Sequence, residues 1–165
     1  MYLYDTLTSD NGLFSVRTGS ASLQYSSNGL YYLGTASRDT FAYLNSQLPT
    51  NYEIEYTISN ITLDRDYGSW CADTGLNGMN IGYSSSSSWG LAWGSLSSGE
   101  YKNHDSSKIL QNGDVIRFKR ENGNVSIYQN NTLLGTISEE NTNGFYLKTY
   151  NTRGITIKDL KIKAL

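Results

Sequence analysis

Along residues 51–59, NYEIEYTIS, apolar and polar positions alternate: Tyr52, Ile54, Tyr56 and Ile58 share one side, Glu53, Glu55 and Thr57 the other. Side chains change face at every step of an extended chain, so this pattern predicts a half-buried β-strand. The same alternation over five to eight residues predicts strands at LYYLG, DTFAYL, GMNIGYS, WGLAWGSL, DVIRFKR, NVSIYQN, LLGTIS, FYLKTY and ITIKDLKIKAL. No stretch of useful length carries a 3.6-residue apolar period, so no helix is predicted. That many strands do not fit one sheet with a solvated face. Two packed antiparallel sheets are the economical solution, and the chain is predicted to be all-β, a two-sheet sandwich.

Turn chemistry divides the strands in the same places. DNG at 10–12, SNG at 27–29, QNGD at 111–114, ENGN at 121–124 and TNG at 142–144 each put Asn-Gly where a positive φ is cheap. RFKRENGNVSIY is the strongest hairpin signal. A length of 165 residues suits a single domain over 1–165. The start inside an apparent strand and the end at KIKAL suit a domain taken from a longer protein.

Composition narrows the class of partner. Charged residues are only 17% and aromatics reach 13%, with a formal net charge of −2, which argues for a packed domain with a polar surface. Thirteen basic against fifteen acidic residues supply no basic field for nucleic acid. No apolar run approaches the ~20 residues of a spanning helix, so no membrane insertion is expected. One cysteine, Cys71, excludes an internal disulfide.

From Leu110 onward, a polar loop precedes NGDVIRFKRENGNVSIYQNNTLLGTIS and then GFYLKTYNTRGITIKDLKIKAL. A strand of the form gd-x-i-x-(hydrophobic)-x-r, a tight turn, a strand ending in y-x-n-n and a last strand of the form i-x-i-k-d-l-k-i together resemble the concanavalin A-like (laminin-G/jelly-roll) superfamily. The resemblance implies an antiparallel jelly-roll sandwich whose last strand pairs with the first. The surface, rich in Asn, Ser and Tyr, is similar to that of carbohydrate-binding modules of phage tail and baseplate proteins or of secreted microbial adhesins and glycanases. What this implies is a non-catalytic module for a cell-surface or cell-wall glycan, extracellular or virion-associated. The alternatives are a structural or oligomerisation domain that contacts other chains of a tail or adhesin, and a glycan hydrolase.

Catalytic equipment is sparse. Glycoside hydrolysis needs two carboxylates flanking one bond. Glu53 and Glu55 are spaced i, i+2, but on the polar side of a plainly alternating strand, where a solvated face is the ordinary reading. The E-x-D-x-x-E signature of glucanases with this fold is absent. One histidine, His104, and one cysteine make zinc improbable. No cofactor is expected. Calcium is the one candidate metal, through loop oxygens of Asp64 and Asp66 or of Asp73 and Asn77, although Asx-turns account for both stretches.

Sugars offer apolar C–H faces ringed by hydroxyls, so their sites combine aromatic planes with amide, carboxylate or backbone groups. In WGLAWG the alternation puts Trp89, Leu91 and Trp93 on one face and Gly90, Ala92 and Gly94 on the other. Leu91 argues that the indoles face the core, leaving the small face for a ligand; Trp89 and Trp93 stay candidates for either role. In MNIGYS, Asn80, Gly82 and Ser84 are expected outward beside that small strip. Trp70 is expected outward if Cys71 is buried, and Tyr146 and Tyr150 outward if Phe145 and Leu147 are core. Tyr101 and His104, read as part of a long loop, are expected to close one end of the groove.

Overall fold

The computed structural model describes residues 2–18, 21–34, 40–61, 70–76, 79–84, 91–97, 100–105, 110–138, 144–149 and 154–165. Every regular element among them is a strand. In chain order these are β1 (Tyr2–Asp5), β2 (Phe14–Thr18), β3 (Ala21–Ser26), β4 (Gly29–Gly34), β5 (Thr40–Leu44), β6 (Tyr52–Ile61), β7 (Trp70–Leu76) and β8 (Met79–Ser84). They continue as β9 (Leu91–Ser97), β10 (Glu100–Asp105), β11 (Val115–Glu121), β12 (Asn124–Gln129), β13 (Thr132–Ser138), β14 (Phe145–Thr149) and β15 (Gly154–Ala164).

Two antiparallel sheets result. The first runs β13-β12-β11-β6-β15-β4-β3, with β1 also paired to β15; the second runs β10-β9-β8-β7-β14-β5-β2. The last strand pairs with the first, Tyr2 opposite Lys163, as the jelly-roll pattern requires. β15 reaches this length by a bulge: its register on β6 shifts between Lys158 and Lys161, and Asp159 takes φ +55°.

Alternation decides which side of each strand is buried. Tyr52, Ile54, Tyr56 and Ile58 of β6 are sealed, and so are Ile116 and Phe118 of β11, Val125 and Ile127 of β12, and Ile155, Ile157, Leu160 and Ile162 of β15. The second sheet answers with Phe14, Ala42, Leu44, Phe145 and Leu147. The two layers meet where the Tyr56 and Phe145 rings lie 5.2 Å apart.

The turns follow backbone preference. ENGN makes the β11–β12 hairpin with Asn122 and Gly123 at φ +51° and +78°. The β12–β13 turn uses two asparagines instead, Asn130 and Asn131, at +49° and +66°. Asparagine is the non-glycine residue best able to adopt this conformation.

The approach to β11 is tied by one buried carboxylate. Asp114 is 7% exposed. Its Oδ2 accepts from the Gln111 amide (2.8 Å) and Gln129 Nε2 (2.7 Å), and its Oδ1 accepts from Asn130 Nδ2 (2.7 Å). Asn130 Oδ1 in turn accepts from the Val115 amide. Three donors would lose their acceptor at once if the carboxylate were removed. Asp114→Ala is therefore expected to cost about 2–3 kcal/mol in urea denaturation. Asp114→Asn should recover only part, since its NH₂ would face a donor.

Candidate functional site

On the side of the first sheet turned away from the core, charged residues of β6, β11 and β15 form ion pairs. Glu55 accepts a hydrogen bond from Lys161 Nζ at 2.9 Å, and Glu53 lies 3.7 Å from the Arg117 guanidinium. The hydrogen bond and charge of Glu55 hold the Lys161 ammonium above its ordinary value. Arg117 also stacks on Tyr128, 4.3 Å from the ring centre. Glu53 and Glu55 thus act as cross-strand partners of cations, which is what alternation on β6 implied.

The second sheet carries the other candidates, and its register sorts them. Residues directly opposite one another across a sheet lie on the same face. One register line crosses β9, β8, β7, β14, β5 and β2 through Trp93, Ile81, Thr74, Leu147, Ala42 and Val16. Leu147 and Ala42 are fully buried in the core and Val16 packs against it. The position of Trp93 therefore belongs to the core line.

The next line alternates to the other face and runs Gly94, Asn80, Gly75, Tyr146, Tyr43, Ser15. Two residues further along, a third line runs His104, Ala92, Gly82, Asp73, Lys148, Phe41. A register shift between Trp70 and Ala72 pairs Trp70 with Ser84, two residues beyond Gly82. A second shift, between Tyr101 and Asn103, pairs Tyr101 with Leu96, two residues beyond Gly94. The backbone thus gathers the positions of Trp70, Asp73, Asn80, Tyr101, His104 and Tyr146 on one face. Glycine and alanine hold the intervening positions. At about 4.8 Å per strand, the line from His104 on β10 to Lys148 on β14 spans about 19 Å.

Three expectations change. Tyr101 and His104 belong to strand β10 rather than to a long loop. Asp73 lies within β7 and Trp70 begins it, so the stretch read as a loop with cation-binding oxygens is in part a strand. Trp89 falls outside the described residues, and β9 is described from Leu91. Tyr146 is opposite in phase to Phe145 and Leu147, as alternation required, yet it is 5% exposed. β14 is an interior strand, and the Tyr43 ring packs 6.0 Å from that of Tyr146. Its ring is part of the floor, not an open stacking surface. Tyr150, Asp64, Asp66 and Asn77 also lie outside the described residues. Among those described, no group of three or more His, Cys, Asp or Glu is placed to hold a metal ion.

Sequence reasoning passed over Tyr43, which stands beside Tyr146 at the centre of this face. The signal was available: Ala42 and Leu44 are the small and apolar partners of a core face, so the residue between them must face away.

Comparison with solved structures fixes the architecture. A carbohydrate-binding module, CBM66 from Bacillus subtilis, superimposes with TM-score 0.66 over 92% of this chain and 96% of its own, at 11% identity. A Bacillus subtilis protein with a galectin-like fold gives TM-score 0.67 over 99% and 98%, at 9% identity. The fold is concanavalin A-like. Bacillus licheniformis β-glucanase shares it (TM-score 0.64, 9% identity, 99% of this chain and 98% of that one). So does the exoplasmic/lumenal domain of VIP36 in a Ca2+/Man-bound form (0.59, 11%, 93% and 83%). No protein-family model and no curated protein matches the sequence. Carbohydrate-binding modules, lectins, glycosidases and transglycosylases all use this sandwich. The fold alone does not choose among them.

Proposed function

We propose that the chain is a non-catalytic carbohydrate-binding module that takes a cell-surface or cell-wall glycan on the outer face of the β10-to-β2 sheet, in an extracellular or virion setting. One observation carries the reading: the register lines collect Trp70, Asp73, Asn80, Tyr101 and His104 on the face opposite the core, with Gly75, Gly82, Ala92 and Gly94 among them. Small residues let a flat ligand approach the backbone. Aromatic and polar positions at the margins supply stacking and hydrogen bonds. The carbohydrate-binding module and the mannose-bound domain among the structural neighbours support the class of ligand. Glu53 and Glu55, the carboxylate pair that a hydrolase reading would use, stand on the other sheet in contact with Arg117 and Lys161.

A glycan array followed by calorimetric titration tests this. Binding is expected in the micromolar to millimolar range. Trp70→Ala and His104→Ala should each weaken it by about tenfold or more while the unfolding midpoint stays close to the parent. An array without a hit, or Trp70→Ala that unfolds instead of losing ligand, would rule the reading out. Release of reducing sugar that disappears in Glu53→Gln or Glu55→Gln would replace it with the hydrolase.

A further inference from the structure

The first sheet holds a recess of its own, formed by residues other than those of the candidate face. It is an open groove of about 500 Å³ over β3, β4, β15 and β6. One register line forms its base: Gln24 opposite Tyr31, Tyr31 opposite Thr156, Thr156 opposite Asn60. Thr156 is 5% exposed and lies at the bottom; Tyr31 is half-buried, and Gln24 and Asn60 are exposed. Asn28, in the β3–β4 turn, adds an amide to the lining.

The turn is held in place over the groove. The Asn28 backbone N–H donates to Ser26 Oγ at 3.1 Å. Gly29 lies so near β15 that a Cβ there would stand 2.2 Å from the Ile157 carbonyl oxygen. On the opposite side, Asn112 Nδ2 donates to Asn60 Oδ1 at 3.4 Å. Among the described residues, no side-chain hydrogen bond engages Gln24 or Tyr31. Tyr25, the next residue of β3, turns to the core side, where burial and then the charge of Asp10 push its phenol up to about 12.

We infer that this groove is a second binding site, for a short neutral saccharide of one or two residues. Among the described residues, all those that line it are uncharged. An ionic ligand would give up hydration without meeting a countercharge. Side-chain amides and hydroxyls both donate and accept, as sugar hydroxyls do, and the Tyr31 ring supplies an apolar plane among them. The volume falls within the usual range of small-molecule clefts, roughly 300–1,000 Å³. The site goes beyond the glycan face proposed above and shares no residue with it.

An amide-resolved NMR titration of the full chain with cellobiose, maltose, lactose and N-acetylglucosamine, with glucuronate as the charged comparison, tests it. At least one neutral probe should shift the Gln24, Asn28 and Asn60 side-chain amides with a saturating, millimolar curve. Gln24→Ala and Tyr31→Ala should each weaken that curve by about fivefold or more, the equivalent of one hydrogen bond or stacking contact. If Tyr31→Ala does not fold, Gln24→Ala combined with Tyr31→Phe takes its place. Trp70→Ala should leave these shifts unchanged, so failure here is distinct from failure of the face on the other sheet. No shift with any neutral probe, shifts that survive the groove variants, or an equal response to glucuronate would each overturn the assignment.

Discussion

Replacing Gly29 by alanine is expected to destabilise the domain by about 3–4 kcal/mol, a drop of roughly 10 °C in thermal midpoint for a chain of this size. Two costs act together. Gly29 holds φ +110°, a conformation that side-chain-bearing residues rarely adopt. An added Cβ would also lie 2.2 Å from the Ile157 oxygen and 2.9 Å from Lys158 Cβ. Ile157 belongs to β15, which pairs with β6 on one side and with β4 and β1 on the other, so the obstructing carbonyl cannot yield without disturbing the middle of the sheet. Gly113 and Gly123 provide the controls. Both have positive φ, +93° and +78°, but a Cβ there meets nothing within 4 Å. Alanine at either should carry only the backbone penalty, about 1–2 kcal/mol. Equal losses at all three positions, measured by urea denaturation, would show that the β3–β4 turn does not sit against β15 as closely as described.

The glycine comparison also shows what the chain's letters convey and what they do not. SNG at 27–29 announces a turn, and so do QNGD and ENGN; nothing local separates the turn that presses on a neighbouring strand from those that stand in solvent. The same limit runs through the fold. Alternation in NYEIEYTIS identified the sealed face of β6 residue by residue, because a half-buried strand imposes its period on its own sequence. β10 has no such period: GEYKNHD is polar throughout and reads as a loop, but pairing with β9 makes it an edge strand. For β7, the stretch WCADTGL combines turn-forming residues with a register shift, and its strand character comes from β8 and β14 on either side. Tyr146 shows the converse: its face was legible from the phase of Phe145 and Leu147, but its burial was not, since Tyr43 comes from a strand a hundred residues earlier. The candidate face was legible as a set of residue types. Its assembly into register lines, and the groove of Gln24, Tyr31, Thr156 and Asn60, depend on pairings between distant segments.

Phe145→Ala is expected to be the most damaging core truncation, about 3–5 kcal/mol, read as a lower denaturation midpoint with an unchanged m-value. Phe145 is fully buried and bridges the layers: its ring is 5.2 Å from Tyr56 of the first sheet and 6.1 Å, edge-on, from Phe14 of its own. Truncation removes both aromatic contacts and leaves a void that strands held by ladders on both sides cannot close. Phe145→Leu should restore much of the loss, since it refills volume without the ring geometry. The consequence for ligand is different in kind. Tyr146, the next residue, sits beneath the candidate glycan face, so a shift of β14 toward the cavity would tilt that floor while leaving the Tyr31 groove on the other sheet in place. Phe145→Ala below its melting range should therefore weaken binding at the first face and spare the second. A cost under about 1 kcal/mol would mean that the two sheets are not packed through this ring.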